Sequence, residues 1–241
     1  MLPHALIFDM DGLILDTENH YKRAWTKAAK EFGFDLTDTL YLRLIGITVA
    51  DAENVLAEEF GSAFPKEKFH VRAQELYEEL HHKEGLPLKP GIKELLIWAR
   101  EQNIPCAVGT STVKDEAVRR LVHHEIVDFF EIVIGGDMVE RGKPNPDIFL
   151  LAQSGLGKEP QHCLILEDAH SGLLAARAGG MRSCLVPDLL PASAESRQLA
   201  EGVFDSLHDV REWLKLGCPA SHDSRETENS QELQETQERR H

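Results

Sequence analysis

Ala5-Leu6-Ile7-Phe8-Asp9-Met10-Asp11-Gly12 (residues 5–12) carries four apolar residues straight into two carboxylates and a glycine. The unbroken apolar run is what a strand buried on both faces requires, and its length is too short for a helix. Further runs of the same kind recur: Cys106-Ala107-Val108, Ile132-Val133-Ile134, Cys163-Leu164-Ile165-Leu166 and Cys184-Leu185-Val186. Helical patterns lie between them at Gly91–Gln102, Lys114–His124, Asp147–Ser154 and Ser171–Ala178, with Val118, Leu121 and Val122 at helical spacing in the second. Buried strands alternating with helices predict an α/β fold with a parallel sheet covered on both faces.

One stretch breaks the alternation. From about Thr17 to Glu84 only helical signals appear, at Tyr21–Phe32, Ala50–Phe60 and Glu67–His82. A helical block between the first and second strands is an inserted domain. The turn Gly85-Leu86-Pro87-Leu88-Lys89-Pro90-Gly91 brings the chain back. The expected organisation is a core of residues 1–16 and 88–214, a helical cap of residues 17–87, and a disordered tail of residues 215–241. That tail is rich in Ser, Glu, Gln and Thr and has too little apolar surface to offset the entropy of ordering.

In open α/β sheets ligands bind beyond the carboxyl ends of the strands. The residues found there are Asp9, Asp11 and Gly12 after the first strand, Thr110-Ser111-Thr112 after the second, Gly142-Lys143-Pro144 after the third and Glu167-Asp168 after the fourth. Carboxylates, hydroxyls and one lysine therefore converge on one edge. Two aspartates two residues apart on an extended segment point the same way. Their repulsion calls for a cation, and Glu167 with Asp168 completes a hard-oxygen cage suited to magnesium. One carboxylate can attack phosphorus while the other handles protons. Thr110 and Ser111 offer a hydroxyl and backbone amides to an anion, and Lys143, stiffened by Pro144-Asn145-Pro146, supplies a fixed positive charge.

Each motif alone has a plainer reading. Asp-x-Asp-Gly occurs in calcium loops, although the other calcium ligands are missing here. Thr112 and Asp115 could form a capping box. Lys143 could be a solvated lysine, and Glu167-Asp168 a pair compensating a helix dipole. Their joint occurrence, each directly after a strand, favours a site.

These residues resemble the four motifs of the haloacid dehalogenase-like hydrolase superfamily. The first is Phe8-Asp9-Met10-Asp11-Gly12 running on to Leu15-Asp16-Thr17-Glu18, and the second is Thr110-Ser111. The third is Gly142-Lys143-Pro144-Asn145-Pro146-Asp147-Ile148-Phe149. The fourth is Leu166-Glu167-Asp168-Ala169 with Ser171-Gly172 and Ala175 to Met181. The resemblance spans about Pro3 to Leu214 and implies a Rossmann-like core with an inserted four-helix cap. It implies Asp9 as nucleophile and Asp11 as general acid and then base. Magnesium would be held by Asp9, the backbone carbonyl of Asp11, and Asp168, supported by Glu167; Thr110, Ser111 and Lys143 would hold the phosphoryl group. Within the superfamily the chain is similar to the β-phosphoglucomutase and pseudouridine-5′-phosphatase-like group. In the mutases a cap loop, Lys-Gly-Val-Ser-Arg, grips a second phosphate. Here the matching loop is Ile45-Gly46-Ile47-Thr48-Val49, with valine in the place of the arginine, and Tyr21 stands where the mutases carry a cap histidine. That favours a phosphatase, with Gly46 in an apolar substrate-binding loop and a sugar phosphate or nucleotide-like monoester, such as pseudouridine 5′-phosphate, as substrate. The alternatives are a phosphosugar mutase and a binding or regulatory protein without turnover; retention of Asp9, Asp11 and Lys143 disfavours the latter.

Composition narrows the classes further. The formal net charge is −15, and six acidic against three basic residues from Gly217 onward leave most of it on the folded body. Such a surface repels nucleic acid and anionic membranes. No apolar run approaches the roughly 18–20 residues of a membrane-spanning helix. The start shows no basic-then-apolar leader, so the cytoplasm is the expected location and a monomer the default. The four scattered cysteines form no CxxC pair and read as idle thiols.

Overall fold

Strand β1 (Ala5–Phe8) is fully buried and lies third in a seven-stranded parallel sheet, with a strand on either side. The other strands are β2 (Cys106–Gly109), β3 (Ile132–Ile134), β4 (Cys163–Glu167), β5 (Arg182–Leu185), β6 (Gly202–Val203) and β7 (His222–Asp223). These come from a computed structural model that describes residues 1–45, 49–219 and 222–223. The spatial order is β3-β2-β1-β4-β5-β6-β7. After β3 the chain crosses to the opposite side of β1, so a topological switch lies between β1 and β4, where a ligand crevice forms in such sheets. Registers Phe8↔Val108 and Phe8↔Leu166 align the carboxyl ends of the three central strands.

The chain divides into two units: one of Met1–Ile14, Leu88–Pro187 and the chain from Ala192, the other of Leu15–Pro87 with Asp188–Pro191. The last four residues return to the helical unit from within a stretch the sequence reading had given wholly to the core.

The helical unit contains α1 (Thr17–Glu31), α2 (Asp38–Leu42), α3 (Val49–Phe60) and α4 (Lys66–Glu84). Helix α1 buries Ala24, Ala28 and Ala29, small residues that let it lie close along α4. Tyr21 stacks on Tyr77 at 4.2 Å, Trp25 meets Phe69 edge-on at 5.3 Å, and Arg23 grips Glu84 with two hydrogen bonds of 2.7 and 3.0 Å. At five residues α2 is too short to show a period; the Thr37 hydroxyl, accepting from the Leu40 N–H, starts it.

In the sheet unit α5 (Ile92–Glu101), α6 (Lys114–His123), α7 (Asp147–Leu156), α8 (His170–Ala178), α9 (Ala194–Leu199) and α10 (Leu207–Lys215) cover the strands. Ile148, Phe149, Ala152 and Leu156 of α7 form one core with Ile7, Ala107, Ile134 and Ile165 of the strands. Burying each large apolar side chain of this kind contributes roughly 1.5–3 kcal/mol. Helix α5 pairs with α10. Strand β7 falls inside the expected tail, yet it extends the sheet by a two-residue ladder on β6. All four cysteines are free thiols.

Candidate active site

The pairing of Phe8 with Leu166 means that Asp9 and Glu167 leave neighbouring strand ends together, and the Asp9 N–H donates to the Leu166 carbonyl at 2.9 Å. Lys143 arrives from the loop after β3. Its Nζ donates to Asp9 Oδ1 at 2.5 Å and to Glu167 Oε1 at 2.6 Å, and it lies 4.7 Å from the centre of the Phe149 ring. The three side chains are 7%, 10% and 1% exposed, so this is a buried triad and not a solvated ion pair.

Burial pushes the Asp9 carboxyl up to about 7; Lys143 pulls it down, and Glu167 and Asp11 push it up again. Burial alone would depress Lys143, but the Asp9 and Glu167 carboxylates hold its pKa above the ordinary value. Lys143 therefore remains a fixed cation, while Asp9 sits where a further positive charge would favour its anionic form.

Carboxylate oxygens of Asp9, Glu167 and Asp168 lie within 4.8 Å of one another. Three hard oxygens at one strand edge match the donor preference of magnesium. Glu167 is fixed by a local device: its Oε2 accepts from the Asp168 and Ala169 N–H groups at 3.0 and 2.9 Å. Gly172 makes the room, because a Cβ there would lie 1.7 Å from Glu167 Oε1.

The Asp11 carboxylate has its own set of partners. Its Oδ1 accepts from Arg120 Nη1 at 2.8 Å, and its Oδ2 from the Thr112 hydroxyl at 2.7 Å and the Thr110 hydroxyl at 3.3 Å. The Asp11 carboxylate is thus outside the Asp9–Glu167–Asp168 cluster, and a metal role for this residue is confined to the backbone carbonyl that the resemblance implies. Gly12 follows at φ 85°, a conformation that favours glycine and turns the chain at once.

Thr110 is buried and its hydroxyl also accepts the Thr112 N–H at 3.1 Å; Ser111 beside it is exposed. The capping box from Thr112 does not form. Helix α6 starts after Val113 without a side-chain cap, and the Thr112 hydroxyl serves Asp11 instead. Gly46, expected in the substrate loop, lies outside the described residues. Arg120 was not singled out from sequence; its only signal is a basic residue one position before the buried Leu121 of α6.

A family description of haloacid dehalogenase-like hydrolases matches residues 6–186, and the chain belongs to that family. It is accordingly a hydrolase with an α/β core. A phosphorylated carbohydrates phosphatase of Thermotoga maritima is 31% identical over 216 residues, covering 90% of this chain and 92% of that protein. The fructose-1-phosphate phosphatase YqaB of Escherichia coli is 35% identical over 182 residues, covering 73% and 93%. The crystal structure of a β-phosphoglucomutase from Clostridium difficile superposes with a TM-score of 0.63 at 27% identity, covering 89% of this chain and 98% of that one.

Proposed function

We propose that the protein is a magnesium-dependent phosphatase acting on a small phosphorylated metabolite with an uncharged body, a sugar phosphate or a nucleotide-like monoester. The observation that carries this reading is Lys143 bridging Asp9 and Glu167 at 2.5 and 2.6 Å beside Asp168. That arrangement gives a nucleophile, a fixed cation and a cation cage at one point.

Asp9 and Asp168, with Glu167 behind them, would hold the metal. A magnesium ion bound there would neutralise charge on the phosphoryl oxygens. An Asp9 oxygen attacks phosphorus, the bond from phosphorus to the leaving oxygen breaks, and that oxygen takes a proton from Asp11. A water then attacks the phosphorus and gives its proton to Asp11. The bond to Asp9 breaks, returning the carboxylate and releasing phosphate. Lys143 and the Thr110–Ser111 turn hold the phosphoryl group in line throughout.

The substrate class draws on the helical unit. A cavity of about 260 Å³ within it is lined by Glu18, Tyr21, Trp25, Tyr41 and Val49, among others. Among the described residues none of its lining is basic, so it suits a hydroxylated or flat neutral body better than a second phosphate. The Tyr41 hydroxyl donates to the Glu18 carbonyl at 3.4 Å, and burial holds the phenol in its protonated form. The names of the two phosphatase relatives point to carbohydrate esters. The similarity to a β-phosphoglucomutase makes a mutase the second reading, and Val49 at the cavity speaks against it.

The test is release of phosphate from p-nitrophenyl phosphate with and without magnesium, beside Asp9→Asn. Release independent of both the metal and Asp9 would refute the reading. Conversion of β-glucose 1-phosphate to glucose 6-phosphate faster than release of free phosphate would replace it with the mutase. A panel of phosphorylated metabolites, pseudouridine 5′-phosphate included, then ranks substrates.

A further inference from the structure

Asp11 is held from one side by three donors, all carried by the segment from the end of β2 into α6. Arg120 is the unexpected one. Its guanidinium spans from α6 to the loop after β1, to a partner 109 residues away in sequence. It is itself held in place: Nε donates to Glu116 at 2.6 Å, and Glu116 is gripped by Arg119 at 2.7 Å. The Arg120 side chain is only 14% exposed. An arginine serving only as an (i, i+4) helix partner would project into water and contribute a few tenths of a kcal/mol. This one withdraws from water and spends a charge-assisted hydrogen bond on the second aspartate of the site.

We infer that Arg120 is a positioning residue for Asp11: with Thr112 it locks the carboxyl group against rotation, so that its outward position presents the acid's proton to the leaving oxygen and, once emptied, accepts a proton from the attacking water in the same orientation. With Oδ1 bound to Arg120 and Oδ2 to Thr112 and Thr110, rotation about the Cβ–Cγ bond would break three hydrogen bonds at once. Removing Arg120 frees the carboxyl to sample orientations in which proton transfer fails. The inference rests on the reading of Asp11 as general acid and base.

The two half-reactions separate the roles. p-Nitrophenolate leaves as a stable anion and needs no proton, whereas hydrolysis of the phosphoenzyme needs Asp11 to take a proton from water. Rapid-mixing kinetics with p-nitrophenyl phosphate and magnesium should therefore show, for Arg120→Ala, a first-turnover burst within about threefold of wild type. Steady-state kcat should fall about 10- to 100-fold, a part of the roughly 100- to 10,000-fold that positioned proton transfer supplies. KM should not rise, and phosphoenzyme should accumulate. Arg120→Lys, which keeps a charge but not the fork, should recover part of kcat. Thr112→Val, nearly the same shape, should lower kcat in the same pattern to a smaller extent and covers the case in which Arg120→Ala does not fold. A burst and kcat that fall together in folded variants would show a merely structural role and overturn the inference. Unchanged kcat in Arg120→Ala and Thr112→Val, with Asp11→Asn inactive, would overturn it too. Full activity of Asp11→Asn would instead overturn the underlying reading of Asp11.

Discussion

Replacing Lys143 by methionine keeps most of the side-chain volume and deletes the charge that joins Asp9 to Glu167. At 2.6 Å and an effective dielectric near 20, each contact carries roughly 6 kcal/mol of Coulomb attraction before desolvation is counted. Most of this is offset by the cost of taking three charges out of water. Removing one member of a buried pair nonetheless costs about 3–5 kcal/mol, because the partners stay buried and lose their counter-charge. For a chain of this size that is a fall of roughly 6–20 °C in Tm. The pH dependence has a definite sign. The Asp9 carboxyl titrates at about 7 in the folded state against 3.8 ordinarily, so the stability its protonated form carries is lost as pH rises from about 4 to about 7. Without Lys143 the carboxyl moves higher still. Lys143→Met should therefore destabilise more near pH 8 than near pH 5.5, where Asp9 takes up a proton. Thermal unfolding of both proteins in EDTA at the two pH values measures this. A loss under about 1 kcal/mol near pH 8, or a larger loss at the lower pH, would refute the reasoning, since either would mean the triad is not a buried, charge-compensated unit.

Three further outcomes are expected. Magnesium should raise the Tm of the wild-type protein more near pH 8 than near pH 5.5, because below about 7 the cation competes with a proton on Asp9; equal shifts at both pH values would contradict the placement of Asp9 in the cage. Gly172→Ala places a methyl group 1.7 Å from Glu167 Oε1, and Glu167 cannot yield without breaking its bonds to Lys143, Asp168 and Ala169. It should cost about 1–3 kcal/mol in urea unfolding and raise the magnesium concentration needed for half-maximal activity. Phe149→Ala empties a fully buried position in the core beneath Lys143 and should lower stability by about 3–5 kcal/mol, read from the shift of the urea midpoint.

The sequence was most legible where local chemistry and fold agree. Continuous apolar runs at residues 5–8, 106–108 and 163–166 are too short for most helices and match buried strands, and the residues that follow them do converge. Helix α2 escaped because five residues carry no periodicity. Strands β6 and β7 escaped because two-residue ladders leave no pattern. The plainer reading of Thr112 fails for a definite reason: a threonine three residues before Asp115 matches a capping box, and only the tertiary fold reveals that Asp11 competes for the same hydroxyl. Arg120 and Gly172 depend on partners that sequence spacing does not display. One reaches across 109 residues, and the other matters for a side chain it lacks.

Within each unit, the two chain ends at which residues 15–87 are inserted lie side by side. The Asp16 N–H donates to the Pro87 carbonyl, and the Lys89 N–H donates to the Ile14 carbonyl, each at 2.9 Å. The sheet unit therefore holds Ile14 and Lys89 together and would close over almost no gap if residues 15–87 were absent. Because closure entropy rises only with the logarithm of loop length, lengthening or exchanging the insert changes the core's stability by little more than about 0.6 kcal/mol per doubling. On the proposed reading, the chemistry at Asp9 and the body of the substrate can then change on separate schedules, one framework accepting successive helical cassettes with its strands undisturbed.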